Sequence, residues 1–324
     1  MKALLCTHYG APEELTLADI PEPTAGPGEA VVKVKAAALN FFDTLIIAGK
    51  YQHKPPFPFS PAAEFAGEVE SVGAGVTIVN VGDGVIGNIG WGAAREKVAI
   101  GVEKLVPIPD GLDFDRAAGV TVTYGTTLYA LKDRARLNAG ETLAVLGAAG
   151  GTGLSAVEIG KLMGARVIAC ASSADKLGFA REHGADDTID YSGEDLKFAL
   201  RALTRERGVD VLYDPVGGAY AELALRAMAW DGRYLVIGFA AGEIPKIPLN
   251  LVLLKSCDMR GVAWGAWTER DLAGHRANTA QLLAWEAQGK LRTHVHAVYP
   301  LAEAAEALKA IARREVKGKV ILRV

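Results

Sequence analysis

Cysteine is scarce: three residues, Cys6, Cys170 and Cys257, stand in a chain of 324. They are odd in number, widely scattered and without a CxxC spacing, which excludes a disulfide framework or a cysteine-built zinc site and predicts a reducing compartment. No run reaches the roughly 18 consecutive apolar residues that a membrane helix needs. The opening MKALLCTHYGAPEEL is too short in its apolar part for a signal-peptide core, so the chain reads as cytoplasmic and unprocessed. An excess of one charge is missing too. Thirty-five Lys and Arg against 38 Asp and Glu give a net charge of −3, which offers no basic field for nucleic acid or a membrane surface. What is present is 50% hydrophobic residues and 37 glycines, the composition of a globular chain, with length for about two domains.

The first hundred or so residues carry short β-type runs cut by Gly and Pro: Ala30 to Ala36, Phe65 to Val72 and Asp83 to Ile89. Turns at Gly26 to Glu29 and Gly73 to Gly75 separate them, which predicts a compact, mostly antiparallel barrel or sandwich. From about Ala117 the texture changes to strands alternating with helices. Strands are expected at Thr142–Leu146, Arg166–Ala169, Asp210–Tyr213 and Arg233–Gly238, and helices at Gly153–Met163, Ala174–His183 and Tyr220–Met228. That alternation marks βαβ units and a parallel, doubly wound sheet covered on both faces. Beyond Trp267 the pattern predicts a helix over Thr279–Gln288, a strand over His294–Tyr299, an alanine-rich helix over Leu301–Arg314 and a last strand over Lys319–Val324. These pieces are expected to rejoin the first domain, giving an α/β chain with a domain at 1–120 and 267–324 around an inserted domain at 121–266.

The strongest chemical signal is LAVLGAAGGTGLSAVEIGKLMGARVIA. A buried strand ends at Leu146, a helix begins near Gly153, and the glycines at 147, 150, 151 and 153 let the backbone turn tightly and approach a pyrophosphate at the helix N-terminus. A strand before the loop and a second strand after its helix supply the context that the motif requires. A tight turn that binds nothing is the alternative. The residue closing the second strand selects the dinucleotide, and VIACASSADK has no carboxylate at 170–173 but Ser172, Ser173 and Lys176. Hydroxyls and an ammonium suit a 2′-phosphate, so NADPH is favoured over NADH. A helix-capping serine followed by a solvated lysine is compatible with the same residues.

These residues resemble the medium-chain dehydrogenase/reductase superfamily, specifically its zinc-free quinone oxidoreductase branch of zeta-crystallin-like proteins. The resemblance runs over essentially the whole chain and is most specific in NFFDTLIIAGKY (Asn40–Tyr51), PAAEFAGEVESVGAGV (Pro61–Val76), AAGGTG (Ala148–Gly153), HGADDTIDY (His183–Tyr191), YDPVGG (Tyr213–Gly218) and KGKVIL (Lys317–Leu322). It implies a discontinuous GroES-like catalytic domain with an inserted Rossmann domain, and hydride transfer from NADPH to quinones or other conjugated carbonyls. Residue by residue, it assigns Ala149, Gly150, Gly151, Thr152 and Gly153 to the pyrophosphate loop, and Ser172, Ser173, Lys176 and Tyr191 to the adenosine 2′-phosphate region. Thr126 falls at the nicotinamide end, and Gly238, Phe239 and Lys317 at further cofactor positions. Asn40, Asp43 and Tyr51 fall where relatives line the substrate site, and are the candidate catalytic residues. Two departures stand out: Leu45 replaces a tyrosine common in quinone reductases, removing an aromatic platform, and Thr152 replaces the usual valine of the loop.

Zinc-dependent relatives carry a cysteine in the segment that here reads ALNFFD and a Gly-His-Glu where this chain has Ala62, Ala63 and Glu64. With Asn40 and Ala63 in those places no thiolate or imidazole is supplied, and no metal site is expected. Glu64 is expected to be a buried carboxylate paired within its domain. His294 and His296 share a strand face but lack a third ligand, so they read as solvated, and His53 reads as a surface residue. The aromatic segment Val262–Trp267 is expected to fill a homodimer interface, since an edge in this place pairs with its copy in relatives. Without zinc to polarise a simple carbonyl, a conjugated acceptor is the expected substrate, because its π system delocalises the charge that hydride delivery creates. An NADPH-dependent reductase of activated alkenes (2-alkenals, acrylates or enoyl thioesters) and a non-catalytic NADPH-binding protein are the alternatives.

Overall fold

The computed structural model describes residues 1–324. The chain opens with β1 (Lys2–Leu5), β2 (Thr16–Asp19), β3 (Glu29–Leu39), α1 (Phe41–Ile47), β4 (Glu64–Val72), β5 (Gly84–Asn88), β6 (Lys97–Gly101), β7 (Leu105–Pro107), α2 (Phe114–Ala118) and α3 (Thr123–Leu128). The alternating part comprises β8 (Thr142–Leu146), α4 (Gly151–Leu162), β9 (Arg166–Ala171), α5 (Ala174–Glu182), β10 (Asp187–Asp190), α6 (Leu196–Leu203), β11 (Val209–Asp214), α7 (Ala219–Arg226), β12 (Met228–Val236), α8 (Leu249–Lys255) and β13 (Asp258–Gly261). Then come α9 (Trp264–Arg270), α10 (Leu272–Ala287), β14 (Val295–Pro300), α11 (Ala304–Ala312) and β15 (Lys319–Arg323). Two compact units result: Met1–Gly125 with Trp267–Val324, and Thr126–Ala266.

The first unit is built on a sheet of order β14-β15-β3-β4-β5-β7, with β6 also pairing β3 and a separate β1–β2 ribbon. Its pairs are antiparallel except β14–β15. The long β3 is its axis. Val32, Val34, Ala37 and Leu39 join Phe65, Val69, Val85 and Leu105 from neighbouring strands, and Leu308 and Ile311 from α11, in one core. The C-terminal residues are integral to this sheet, because β15 pairs β3 with Val320 opposite Leu39.

The second unit is a six-stranded, all-parallel sheet of order β10-β9-β8-β11-β12-β13. Its central strand β8, TLAVL, is buried throughout, as expected for a strand covered on both faces. The chain starts at β8, proceeds outward to β9 and β10, then returns to β11 on the other side, so the strand order reverses beside β8. Ligands in open α/β sheets bind at the carboxyl edge beside such a reversal.

Several expected bounds shift for local reasons. The helix expected from Gly153 starts at Gly151, because the glycines of the loop already follow its spiral. The helix expected over Thr279–Gln288 begins at Leu272, where the Asp271 carboxylate accepts from Gly274 N at 2.9 Å and caps it. The alanine-rich helix is confined to Ala304–Ala312, since Leu301–Glu303 after Pro300 forms a 3₁₀ turn. In the aromatic segment, Val262 directly follows the edge strand β13 and Trp264 opens α9; the two are 9% and 6% exposed, so their side chains are covered within the chain. Among the large apolar side chains left in the open are Trp230 at 71% on β12 and three on α8, Leu249 and Leu253 at 78% and Leu254 at 67%. A short helix that cannot turn every leucine inward leaves them there. No helix is long and apolar enough to cross a membrane.

Candidate active site

In the second unit the loop after β8 turns at Gly147, φ +61°, and delivers the chain to α4 with Gly150 as its cap residue. Gly150 brings no capping side chain and the first turn holds no acidic residue. The opening N–H groups of a helix have no intrahelical acceptors, so this end is an uncapped, positively polarised anion seat. Gly153 is there for close approach: a Cβ would stand 2.1 Å from Gly147 O, 2.7 Å from Gly147 C and 2.9 Å from Ala148 Cα. At Gly150 a Cβ would meet only Gly147 O, at 3.5 Å. The bare surface there is not demanded by the protein's own packing, which fits a loop kept open for a pyrophosphate.

A buried hydroxyl network holds this loop from beneath. Thr127 Oγ1 lies 2.7 Å from Ser155 Oγ and 2.8 Å from the Tyr213 hydroxyl, and Ser155 Oγ donates to Thr152 O at 2.9 Å. Thr126, expected at the nicotinamide end, precedes this anchor and is itself buried. The network escaped sequence reasoning, which fixed on Thr126 and passed over Thr127, Ser155 and Tyr213 because their hydroxyls meet only through the fold.

The remaining cofactor candidates follow the carboxyl ends of successive strands. Ser172 is exposed just past β9; Ser173 caps α5, its hydroxyl accepting from Lys176 N at 3.4 Å. That cap occupies only the oxygen's acceptor side and leaves the Ser173 proton to donate. Tyr191 follows β10, its N–H donating to Ala171 O at 3.1 Å and its ring 4.4 Å from that of Tyr220. Gly238 and the exposed Phe239 follow β12, and Gly238 N donates to Asp214 O at 3.3 Å. The Asp214 carboxylate shapes the adjoining turn by accepting from Val216 N and Gly217 N, both at 2.8 Å, and from the Tyr234 hydroxyl. Lys317 is set apart from these, since it belongs to the first unit, where its charge adds to burial in holding the His296 pKa down.

In the first unit the structure gathers Asn40, Asp43 and Glu64 with a residue that sequence reasoning missed, Lys319. Asn40 follows β3 and is the cap residue of α1. Asp43, three residues on, accepts from Asn40 N at 2.7 Å through one carboxylate oxygen and from Ala62 N at 3.0 Å through the other. Ala62 sits at φ +65°, a strained value for a residue with a Cβ, and the Asp43 bond holds it. Burial pushes the Asp43 carboxyl up to about 7, against the two backbone amides that donate to it. With 0% exposure and both carboxylate oxygens engaged by backbone N–H groups, Asp43, a candidate catalytic residue, sets the backbone around Asn40 and Ala62.

Glu64 opens β4 opposite Ala38 of β3 and is fully buried. One of its oxygens accepts from Asn40 Nδ2 at 2.9 Å and Lys319 Nζ at 2.7 Å; the other accepts from Val122 N at 2.6 Å. The buried, domain-internal carboxylate expected from the sequence is thus found, fully paired. Lys319, 2% exposed, spends its three protons on Glu64 Oε1, on Asn40 Oδ1 at 2.7 Å and on Leu39 O at 3.3 Å. The sequence signal was a lysine placed at the start of an otherwise apolar buried strand, KVIL, within the KGKVIL motif.

Tyr51 is half-buried against the same core, its ring stacked on Phe42 at 5.6 Å and 25°, with exposed His53 at 5.8 Å. Burial first, and the Asp43 charge second, raise the phenol's pKa, so it keeps its proton and stays a hydrogen-bond donor. Its hydroxyl takes no partner within the chain. Leu45 is half-buried on α1. No group of three His, Cys, Asp or Glu side chains is placed to hold a metal ion, and His296 lies exposed on β14.

Comparison with known proteins bears on these two units. Residues 26–110 match the family model described as the alcohol dehydrogenase GroES-like domain, and residues 151–279 the one described as zinc-binding dehydrogenase. The chain is 37% identical over 322 residues to quinone oxidoreductase-like protein 2 of Rattus norvegicus, covering 99% of this chain and 91% of the relative. It is 36% identical over 330 residues to a quinone oxidoreductase of Pseudomonas aeruginosa, covering 99% of both. Among solved structures, the quinone oxidoreductase of Pseudomonas syringae pv. tomato superposes with a TM-score of 0.93 at 32% identity, covering 100% of this chain and 99% of the other. An Escherichia coli quinone oxidoreductase complexed with NADPH gives 0.91 at 27%, covering 100% of both. With a GroES-like first unit, a Rossmann-type second unit and quinone oxidoreductase relatives along its whole length, the chain belongs to the zinc-free quinone oxidoreductase branch of the medium-chain dehydrogenase/reductase superfamily.

Proposed function

We propose that this protein is an NADPH-dependent reductase of quinones or related conjugated carbonyls that works without zinc. The observation that carries the reading is a pair of unspent hydrogen-bond donors in the first unit beside a fully paired charge cluster. Asn40 Nδ2 gives one proton to Glu64 and keeps the other, and the Tyr51 hydroxyl has no partner. Both are neutral donors suited to the oxygen of an acceptor on which negative charge develops. When bound, the dihydronicotinamide supplies a hydride; the rest falls to the chain's own residues.

In this reading Gly150, Gly151 and the N-terminus of α4 hold the pyrophosphate, and Ser172, Ser173 and Lys176 hold the 2′-phosphate. The absence of a carboxylate at 170–173, where β9 ends, supports the second assignment, as do relatives solved with NADPH. Asn40 and Tyr51 orient the acceptor, and Tyr51 remains protonated through the neutral range, so the final proton comes from water. Hydride transfer to a conjugated system leaves charge spread through the π framework, and two hydrogen-bond donors suffice where a metal would otherwise polarise the carbonyl. Leu45 offers an aliphatic wall on α1 and favours acceptors that do not depend on aromatic stacking.

The test is NADPH consumption with 1,4-benzoquinone, 9,10-phenanthrenequinone, a 2-alkenal and an enoyl thioester, each repeated with NADH. Turnover of the quinones with NADPH supports the reading. Turnover confined to the alkenal or thioester replaces it with activated-alkene reduction, and stoichiometric NADPH binding without any turnover refutes an enzymatic role.

A further inference from the structure

The ion pair of Glu64 and Lys319 is among the most deeply buried polar groups of the first unit, and the orientation of Asn40 depends on it. A side-chain amide has two ends of similar shape, and its partners decide which way it lies. Here the partners leave no choice. The Glu64 carboxylate can only accept, so it demands the NH₂ end; the Lys319 ammonium can only donate, so it demands the oxygen. The two partners are themselves joined at 2.7 Å, closing a three-membered ring of hydrogen bonds through Asn40, Glu64 and Lys319. The ring is tied to the backbone on three sides: Glu64 by Val122 N, Lys319 by Leu39 O, and Asn40 by the bond from its own N–H to Asp43.

A pair held only for stability would be a poor choice, because two charges removed from water are commonly no better than well-packed apolar residues of the same volume. A pair that fixes another group's geometry has a reason to be there. The chain separations make the point: Lys319 lies 279 residues from Asn40 and 255 from Glu64, so the β15–β3 and β3–β4 registers must both be correct before the ring forms.

We propose that Lys319, acting with Glu64, is a positioning residue that locks the Asn40 amide with its second Nδ2 proton free for the oxygen of the conjugated acceptor. Lys319 touches neither acceptor nor cofactor in this role; it acts through Asn40. The inference rests on the reading of Asn40 as a donor to the acceptor. It differs from that reading in assigning the donor's orientation to a buried charge on the last strand of the chain.

A double-mutant cycle separates the two. Lys319→Met, Asn40→Ala and the double variant are compared with the unmodified protein for kcat and KM with 1,4-benzoquinone, for NADPH Kd by fluorescence titration, and for thermal melting. The expected result is that Lys319→Met lowers kcat about tenfold or more with NADPH Kd changed less than twofold, and that Lys319→Met on the Asn40→Ala background lowers it no further. A merely structural lysine would lower kcat by the same factor in both backgrounds, or shift NADPH affinity in parallel; either result overturns the proposal. If Asn40→Ala loses activity while Lys319→Met keeps it, Lys319 is not the positioning group and the reading of Asn40 stands. If Asn40→Ala keeps full activity, the reading of Asn40 falls and the proposal with it. Should Lys319→Met fail to fold, because it strands the Glu64 charge, the neutral pair Glu64→Gln/Lys319→Met takes its place in the same cycle and is judged by the same outcomes.

Discussion

Gly150→Ala isolates the cofactor loop from the stability of the fold. At this residue the backbone lies at φ −75°, ψ 169°, an ordinary extended conformation open to alanine. The added Cβ would meet only Gly147 O at 3.5 Å, a normal contact. Alanine is a somewhat poorer helix cap than glycine, but it also reduces the freedom of the unfolded chain by about 0.4–1 kcal/mol. The two effects nearly cancel, so the melting temperature should move by no more than a few degrees. NADPH binding should respond quite differently. A methyl group on the bare face of the loop forces the pyrophosphate away from the N–H groups of α4, and losing one charge-assisted hydrogen bond costs about 1.5–3 kcal/mol, or roughly 10- to 100-fold in Kd. Gly153→Ala is the contrasting variant. Its Cβ would lie 2.1 Å from Gly147 O with only backbone around it, so α4 must move away from the end of β8, and both melting temperature and NADPH affinity should fall. Calorimetric titration with NADPH and thermal melting of both variants decide the matter. Unchanged NADPH affinity in a well-folded Gly150→Ala protein would refute the placement of the pyrophosphate on this loop.

Three further outcomes follow from the same structure. Lys176→Ala should raise the KM for NADPH about tenfold or more, the scale of a lost charge-assisted bond to the 2′-phosphate, and leave the KM for NADH nearly unchanged; equal losses with both cofactors would contradict the assignment. Burial, and secondarily the Arg276 charge, hold the buried His275 down at about 4 from its usual 6.5. Its neutral form therefore favours the folded state fully above pH 6.5, and that contribution, roughly 3 kcal/mol at most, is lost as pH falls from 6.5 towards 4. His275→Gln should flatten the fall in melting temperature across that window, and parallel curves for the two proteins would count against it. The exposed leucines of α8, next in the chain to the edge strand β13, are expected to be covered by a second copy. Leu253→Glu should then convert a dimer into single 34.1 kDa chains in sedimentation, and an unmodified protein already monomeric at micromolar concentration would contradict the expectation.

The second unit was legible in the sequence because its signals are local. TLAVL followed by a glycine-rich turn and a helix is a self-contained βα unit, and serines directly after β9 are read from neighbouring positions. Short or atypical elements were lost: β10 is only DTID, and α8 has an apolar face that does not follow the inward pattern. At Val262–Trp267 hydrophobicity alone does not say what covers the side chains, and the fold covers Val262 and Trp264 within the chain, Trp264 at the start of α9. In the first unit the sequence pointed to Asn40 and to a paired Glu64, yet not to Lys319. Their meeting depends on strand registers between segments more than 250 residues apart, and no periodicity within a segment carries that information. That both Asp43 oxygens accept from backbone N–H groups was likewise not legible, since Ala62 N reaches it only through the fold.

The central claim is that the chain moves a hydride from NADPH to a conjugated acceptor, and the most direct measurement is the stoichiometry of that transfer. The protein, freed of metal by exhaustive chelation, is mixed with NADPH and limiting 1,4-benzoquinone, and the NADP⁺ and hydroquinone formed are quantified by chromatography. One NADP⁺ for each hydroquinone is expected, at a rate the chelator does not lower and that falls about tenfold or more when NADH replaces NADPH at subsaturating concentration. No hydroquinone above the uncatalysed background, or activity that disappears with the chelator and returns with zinc, would contradict it.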